Sequence, residues 1–280
     1  MNKILITGAS GNIGTPLVET LRLQGADFEI IRSKAGASGT SRVASFSDTS
    51  ALQIAFTGID TLFVLLPLVQ NKLELATNVA KAAKAAGVKH IVRSSGAGAD
   101  PQSAFALPKL QGTIDQVFQD TGIATTFLRP SGFMQNYSGF MAGMIRMGTV
   151  YGATANAAQS LIDVRDIAAV AARILMNPTI HAGKAYTLTG GEALTDRERV
   201  QILSDVLGRT ISFVEVSREA GRTSMVQMGI HETMVQWLDS LNAIIAAGYA
   251  GGISPDVQTL LGRSPIDFRQ FVKDNPKVWQ

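Results

Sequence analysis

The stretch Ile4-Leu5-Ile6-Thr7-Gly8-Ala9-Ser10-Gly11-Asn12-Ile13-Gly14-Thr15-Pro16 decides the fold. An apolar run of strand length, Ile4 to Thr7, leads into glycines spaced Gly-x-x-Gly-x-x-Gly. A helix is expected to open at Thr15-Pro16, where proline suits a first turn. Glycines permit a tight turn and a close approach of backbone to pyrophosphate. The N–H groups and positive dipole end of the following helix hold the phosphate charge. The loop therefore reads as a dinucleotide cradle made by Gly8, Ser10, Gly11, Asn12, Ile13 and Gly14.

The next strand indicates which dinucleotide. It runs Phe28 to Ile31 and continues Arg32-Ser33-Lys34, with no acid at the place where one would bind ribose hydroxyls. A planar guanidinium at Arg32 and a second charge at Lys34 suit a 2′-phosphate, so NADPH is preferred and NADH is the lesser ligand.

Outward from this unit, strands alternate with helices, the pattern of a parallel sheet covered by helices. Further strands are expected at Thr61 to Leu66, His90 to Arg93, Thr125 to Leu128 and Ala185 to Leu188. Helices are expected at Pro16 to Gln24, Thr49 to Phe56, Asn71 to Ala86, Gly112 to Thr121 and Val164 to Met176, with Gly87 as a stop. Residues 34–42, rich in Gly, Ser and Ala, read as an exposed loop, and 248–252 as a Gly-rich turn. Thr195 to Leu207 and Thr223 to Ala247 read as helices of a different texture. The fold class is α/β: a Rossmann, doubly wound parallel sheet with a smaller, mainly helical C-terminal substrate lobe. The Rossmann domain is expected over 1–155, with 160–190 returning to it. The lobe is expected over 191–280, with 131–155 also lining a cleft that would take the ligand.

Composition narrows the function classes. The 280 residues are 46% hydrophobic and 17% charged, enough for a full core. The absence of cysteine excludes a disulfide framework, a thiolate metal site and a thiol nucleophile, so redox chemistry must come from a bound cofactor. Twenty-five Lys and Arg against 22 Asp and Glu give only +3, scattered along the chain, which argues against nucleic acid as a partner. No run is long and apolar enough to span a membrane, and the start Met1-Asn2-Lys3 has no signal-peptide layout, so a cytoplasmic protein is expected. No pair among His90, His181 and His231 has metal-ligand spacing, and no metal is expected. A homodimer is compatible with the sequence.

The opening Ile-Thr-Gly-Ala-Ser-Gly-Asn-Ile-Gly, the Ala-Gly-Val-Lys-His-Ile-Val segment at 86–92, and Thr126-Phe127-Leu128-Arg129-Pro130 followed by Phe133-Met134-Gln135-Asn136 resemble the NmrA-like atypical short-chain dehydrogenases. The closing Leu260-Leu261-Gly262-Arg263-Ser264-Pro265 extends the resemblance over nearly the whole chain. It is strongest to the branch with bacterial quinone reductase, triphenylmethane dye reductase and azo reductase. The resemblance implies that Gly8, Gly11 and Gly14 bind pyrophosphate and Arg32 the NADPH 2′-phosphate.

There are departures. Ordinary short-chain dehydrogenases use Tyr-x-x-x-Lys as a proton relay. None of Tyr137, Tyr151, Tyr186 and Tyr249 has lysine four residues on, and Phe105 to Lys109 keeps the spacing without the phenol. Gln111 and Asp115 stand where members of the branch often carry His and Glu. Ser45 stands where the family has an acidic adenine contact.

Direct hydride transfer to a conjugated acceptor needs chiefly that the acceptor be held against the nicotinamide, and the last proton can come from water. By position, Leu65, Leu66 and Pro67 line the cofactor cleft, and Ser94, Ser95 and Gly96 sit near the nicotinamide ribose. Ser95 and Lys109 are the candidate catalytic groups: Ser95 donates to a substrate oxygen, and Lys109 polarises it or holds ribose hydroxyls. Phe133, Met134, Asn136, Tyr137, Met141 and Trp237 are candidates for the pocket of a small aromatic or conjugated acceptor. Residues 134, 137, 141 and 144 also follow helical spacing, which equally describes a core stripe. Asp163 and Asp166 flank Arg165 and read as a cap and a local ion pair. The reading is an NAD(P)H-dependent reductase of quinone-like, azo or other conjugated acceptors. The alternative is a non-catalytic, dinucleotide-sensing regulator acting through a protein partner.

Overall fold

The computed structural model describes residues 2–33 and 41–280. In chain order the first elements are β1 (Ile4–Ile6), α1 (Gly14–Leu23), β2 (Phe28–Arg32), β3 (Ser41–Val43), α2 (Thr49–Phe56), β4 (Thr61–Val64), α3 (Lys72–Ala85), β5 (His90–Ser94), α4 (Ala106–Gln119) and β6 (Ala124–Pro130). Then come α5 (Gln135–Ser138), α6 (Ala142–Arg146), β7 (Thr149–Gly152), α7 (Val164–Met176), β8 (Ala185–Leu188), α8 (Asp196–Leu207) and β9 (Ser212–Glu215). The chain closes with α9 (Arg218–Gln227), α10 (Glu232–Ala246), α11 (Asp256–Leu261) and α12 (Phe268–Asp274). Among the described residues, no helix is long and apolar enough to cross a membrane.

Two compact units result. The first comprises Met1–Ala104, Pro108–Pro130 and Ile167–Thr187, and the second Phe105–Leu107, Ser131–Asp166 and Leu188–Gln280. The boundary thus falls at Pro130, and 131–155 group with the later residues instead of closing the first unit.

The seven-stranded sheet has the order β3-β2-β1-β4-β5-β6-β8, and the five pairs from β3 to β6 are parallel. This is the doubly wound Rossmann order, with its switch point between β1 and β4. The central strands β1 and β4 are buried along their whole length and read as nearly unbroken apolar runs because both faces are covered. Leu5, Leu62, Val64, Ile91 and Phe127 pack into one core with Leu52, Phe56, Leu75, Val79, Ile114 and Phe118 of α2, α3 and α4. The alternate residues Ile4, Ile6, Phe63, Val92 and Leu128 are buried as well, and strand geometry sends them to the opposite face.

Several boundaries differ from the sequence reading. Part of 34–42 is strand, since Ser41–Val43 pairs with Ile30–Arg32 at the sheet edge, and residues 34–40 lie outside those described. Helix α4 begins at Ala106 and not at Gly112. Gly112 is no helix breaker there: a Cβ on it would lie 2.2 Å from the Asp100 backbone, so glycine lets the helix press onto the loop after β5. Residues 223–247 belong to two helices: Ser217 caps α9 through the Ala220 N–H, and the chain breaks before α10. The second unit also contains a parallel pair, β7 with β9, in the register Thr149 to Ser212 through Gly152 to Glu215.

At the start of β5, the His90 Nε2 lies 2.9 Å from the Thr126 hydroxyl, and that hydroxyl donates to the His181 carbonyl. Burial, helped by His181, pushes the His90 imidazole down to about 4 from 6.5. The unfolded chain then binds the extra proton between those values, so stability is full above about pH 6.5 and falls as the pH drops toward 4. The shift corresponds to up to about 3 kcal/mol. Thermal unfolding across this range should show the loss, and His90→Gln should flatten it. An unchanged acid limb in the variant would remove His90 as the cause.

Candidate active site

The glycine loop is built as a cradle. Gly8 has φ +68°, a left-handed conformation that glycine adopts without strain, and a Cβ there would lie 3.0 Å from the Leu65 side chain. The Gly11 N–H donates to the Gly8 carbonyl at 3.0 Å, closing the turn. A Cβ on Gly14 would lie 2.0 Å from that same carbonyl, so helix α1 can start against the turn only with glycine at this position. At Gly11 the only neighbour a Cβ would meet is the Gly8 oxygen, at 3.4 Å, leaving room for a ligand. Ile13 precedes α1 with no side-chain cap, and the first turn holds no acid. The N–H groups and positive dipole end of α1 therefore face no side-chain cap and no acid of the helix's own first turn. Ser10, Gly11 and Asn12 are exposed, whereas Ile13 and Gly14 are buried. The Leu65 N–H donates to the Thr7 hydroxyl, which in turn donates to the Leu65 carbonyl, tying the ends of β1 and β4 together.

Arg32 closes β2 with its side chain exposed, and no side-chain partner is found for it among the described residues. A free planar fork at this place fits a phosphate on the adenine-side ribose. Lys34 lies outside the described residues. Ser45 accepts a hydrogen bond from the Ser47 N–H in the turn before α2.

At the carboxyl ends of the strands, Leu65 is half-buried and Pro67 exposed, but Leu66 turns inward and joins the core beside Val64 and Leu75. Its expected place at the cleft surface is corrected by that packing. Ser94 and Ser95 are both buried, and the Ser95 N–H donates to the Leu128 carbonyl at 2.7 Å. The Ser95 Oγ is buried without a hydrogen-bond partner, a costly state for a hydroxyl unless a ligand supplies one. A Cβ on Gly96 would touch the Gln111 side chain at 3.5 Å, which places the start of α4 over this strand end. Lys109 stands exposed on the first turns of α4.

The chain matches the model of the NmrA-like family over residues 1–257. It belongs to that family. An NAD(P)H azoreductase from Xenophilus azovorans is 33% identical to this NmrA-like chain, covering 96% of each. A (4-alkanoyl-5-oxo-2,5-dihydrofuran-3-yl)methyl phosphate reductase from Streptomyces griseus is 30% identical over 99% of each. Among solved structures, an NADPH-dependent quinone oxidoreductase from Escherichia coli in complex with NADPH superposes with a TM-score of 0.87. It is 26% identical, over 97% of this chain and 99% of that one.

Gln111 and Asp115 belong to a buried cluster of charged and polar side chains. Asp115 is buried and pairs with two guanidinium groups, Arg93 through Oδ1 and Arg129 through Oδ2 at 3.1 Å. Arg93 also donates to the Gln111 Oε1 at 2.8 Å, while its Nε has no partner. Burial, with the Arg129 charge alongside, pulls the Arg93 guanidinium down to about 9, still protonated at neutral pH. Sequence reasoning missed this cluster. Its signal was an arginine inside the otherwise apolar run of β5, which has to find a carboxylate elsewhere.

Within the second unit, two residues expected in the acceptor pocket are core. Met134 is 1% and Tyr137 2% exposed, both in a cluster with Ile145, Val200, Leu203, Phe268 and Trp279. The Tyr137 hydroxyl donates to the Asp196 Oδ1 at 2.7 Å and accepts from the Arg199 Nε at 2.9 Å. Burial raises the Tyr137 phenol well above its usual value, so it holds its proton and its hydroxyl is fully engaged. Met141 packs on the same cluster, so the helical spacing of 134, 137 and 141 is a core stripe. Trp237 is buried in α10. Phe133 is half-buried, bridged to Ile162, and Asn136 is exposed. Phe105, which has the place of the relay tyrosine, rests edge-on against Tyr249 at 6.1 Å between ring centres. Asp163 caps the Arg165 N–H and pairs with the Arg165 guanidinium, as read from sequence. Asp166 pairs instead with Arg263 at 2.7 Å.

The cofactor assignment makes a direct prediction. Arg32→Ala should weaken NADPH binding by about 1.5 to 3 kcal/mol, the scale of a hydrogen bond to a charged group, and leave NADH nearly untouched. Calorimetric titration of both cofactors checks this. Equal losses for the two would refute the 2′-phosphate role.

Proposed function

We propose that the acceptor is a quinone-like, azo or similarly conjugated small molecule. The chain itself is an NADPH-dependent reductase of the atypical short-chain dehydrogenase type. The observation that carries the reading is the cradle: open space at Gly11, an uncapped α1 start, and an exposed Arg32 with no side-chain partner among the described residues at the end of the next strand. Its relatives are named for reduction of azo compounds, a furanone phosphate and quinones.

When bound, NADPH supplies a hydride. Gly8, Gly11 and the first turn of α1 hold the pyrophosphate, and Arg32 the 2′-phosphate. Leu65 and Pro67 shape the wall beyond β4, and Gly96 keeps the ribose side narrow against Gln111. The Ser95 hydroxyl donates to an electronegative atom of the acceptor, and Lys109 holds ribose hydroxyls. With phenylalanine in place of the relay tyrosine, no side chain here delivers a proton in the usual short-chain dehydrogenase manner, which favours acceptors protonated by water after hydride arrival. Comparing kcat/KM for naphthoquinones, azo dyes, triphenylmethane dyes and simple ketones tests this. Turnover of conjugated acceptors with ketones at least a hundredfold slower is expected, and a preference for ketones would contradict it.

A further inference from the structure

Two arginines and a lysine gather under the carboxyl ends of β4, β5 and β6 around the buried Asp115, and the Asp100 charge acts on Arg129 from the loop after β5. Lys72 opens α3 with only 5% exposure, and among the described residues no hydrogen bond or ion pair is found for its amine. Burial, with the Arg93 charge nearby, pushes that amine down to about 8, so it stays mostly protonated at neutral pH. Arg93 is 1% exposed, and the Arg129 guanidinium flanks it from β6. Asp115 gives one carboxylate oxygen to each guanidinium, and no ion pair joins it to Lys72. Two further groups in the same place lack partners, the Arg93 Nε and the Ser95 Oγ. Ser95 follows Arg93 by two residues, just past the end of β5, and Gln111, which accepts from Arg93, also packs beside Gly96.

Unpaired charge in a protein interior costs several kcal/mol unless an opposite charge joins it. Buried clusters of one sign persist where a ligand of the other sign completes them. Here the excess lies at the end of the sheet where α/β proteins bind their ligands. The pyrophosphate already has its own cradle at α1, beyond β1.

From this arrangement we infer that the acceptor carries an anionic group, a carboxylate, sulfonate or phosphate, which Lys72, Arg129 and the Ser95 hydroxyl receive beside the buried Arg93–Asp115 pair. The inference rests on the reductase reading for its placement at the acceptor, and it adds the acceptor's charge. Lys72 supplies the unpaired cation, Ser95 the free hydroxyl, and Arg129, half-buried, the outer wall. Lys72 acts as a specificity residue and takes no part in hydride transfer.

The test uses the full chain with matched probes. A 1,4-naphthoquinone carboxylate and its carboxamide differ by one charge, and benzoate and benzamide do the same without any reducible group. The wild-type protein should prefer the quinone carboxylate by at least tenfold in kcat/KM, and Lys72→Met should collapse that ratio toward one. In the absence of NADPH, benzoate should raise the Tm of the wild type, benzamide should not, and the benzoate effect should vanish in K72M. K72M itself should melt at or above the wild-type temperature, because methionine fills the space without an unpaired charge, so loss of the preference will not reflect unfolding. A ratio unchanged by K72M, or K72M weakening NADPH binding in place of the anion preference, would overturn the proposal. Should neither quinone be reduced, the reductase reading fails while the benzoate shift still decides the anion site: present and dependent on Lys72, it stands; absent, it falls.

Discussion

Gly11→Val should abolish binding of NADPH and NADH while the protein still folds with nearly wild-type Tm, and Gly14→Ala should fail to fold or melt far lower. The two glycines are three residues apart in one loop, yet their surroundings differ. At Gly11 a new Cβ meets only the Gly8 oxygen, at 3.4 Å, so the valine branches project into the space assigned to pyrophosphate. At Gly14 it would stand 2.0 Å from that oxygen and 2.7 Å from the Ala9 Cα, both backbone atoms that cannot swing aside. Overpacking of this kind typically costs 1 to 3 kcal/mol in side-chain cores, and a backbone clash costs more. Calorimetry for the first variant and thermal unfolding for both separate the roles. G11V binding NADPH as well as wild type would sink the cradle assignment.

Asp115→Ala should cost about 3 to 5 kcal/mol of stability, because it strands Arg93 inside the protein with no carboxylate. For a chain of this size, that lowers Tm by roughly 10 °C. Replacing both partners, Arg93→Leu with Asp115→Leu, should recover much of the loss, since apolar residues can take over a buried ion pair's volume without its desolvation cost. Thermal unfolding of the single and double variants measures it. A double variant no better than D115A would show that the pair is needed for more than mutual compensation.

What the sequence made legible follows from how local the causes are. Strands β1, β2, β4, β5 and β6 were readable from their mainly apolar runs, most plainly β1 and β4, which are buried on both faces. The bounds of α7 and β8 agree with the reading residue for residue. The edge strand Ser41–Val43 was hidden because its three residues sit among glycines and serines and are held by pairing with β2. Strands β7 and β9 were missed for a similar reason: each is four residues long, and each is defined by a partner some sixty residues away. The start of α4 was misplaced because Gly112 looks like a breaker until the Asp100 backbone is seen against it.

At the site, the cradle was legible because its mechanism is written in consecutive residues. Met134 and Tyr137 were ambiguous because a stripe at helical spacing faces inward or toward a ligand with equal ease. The partners that decide the matter for Tyr137, Asp196 and Arg199, lie about sixty residues on. The Lys72, Arg93, Asp115 and Arg129 cluster draws on α3, β5, α4 and β6, and no spacing rule links them.

One titration tests both NADPH binding by this NmrA-like chain and the proposed passage of hydride to a conjugated acceptor. Purified protein is titrated with NADPH, and then a naphthoquinone is added while NADPH oxidation is followed. Saturable NADPH binding, tighter than NADH, is expected, followed by catalytic consumption of NADPH that is lost in G11V. Tight NADPH binding with no consumption for any quinone, azo dye or triphenylmethane dye would contradict the reductase and leave a dinucleotide sensor in its place.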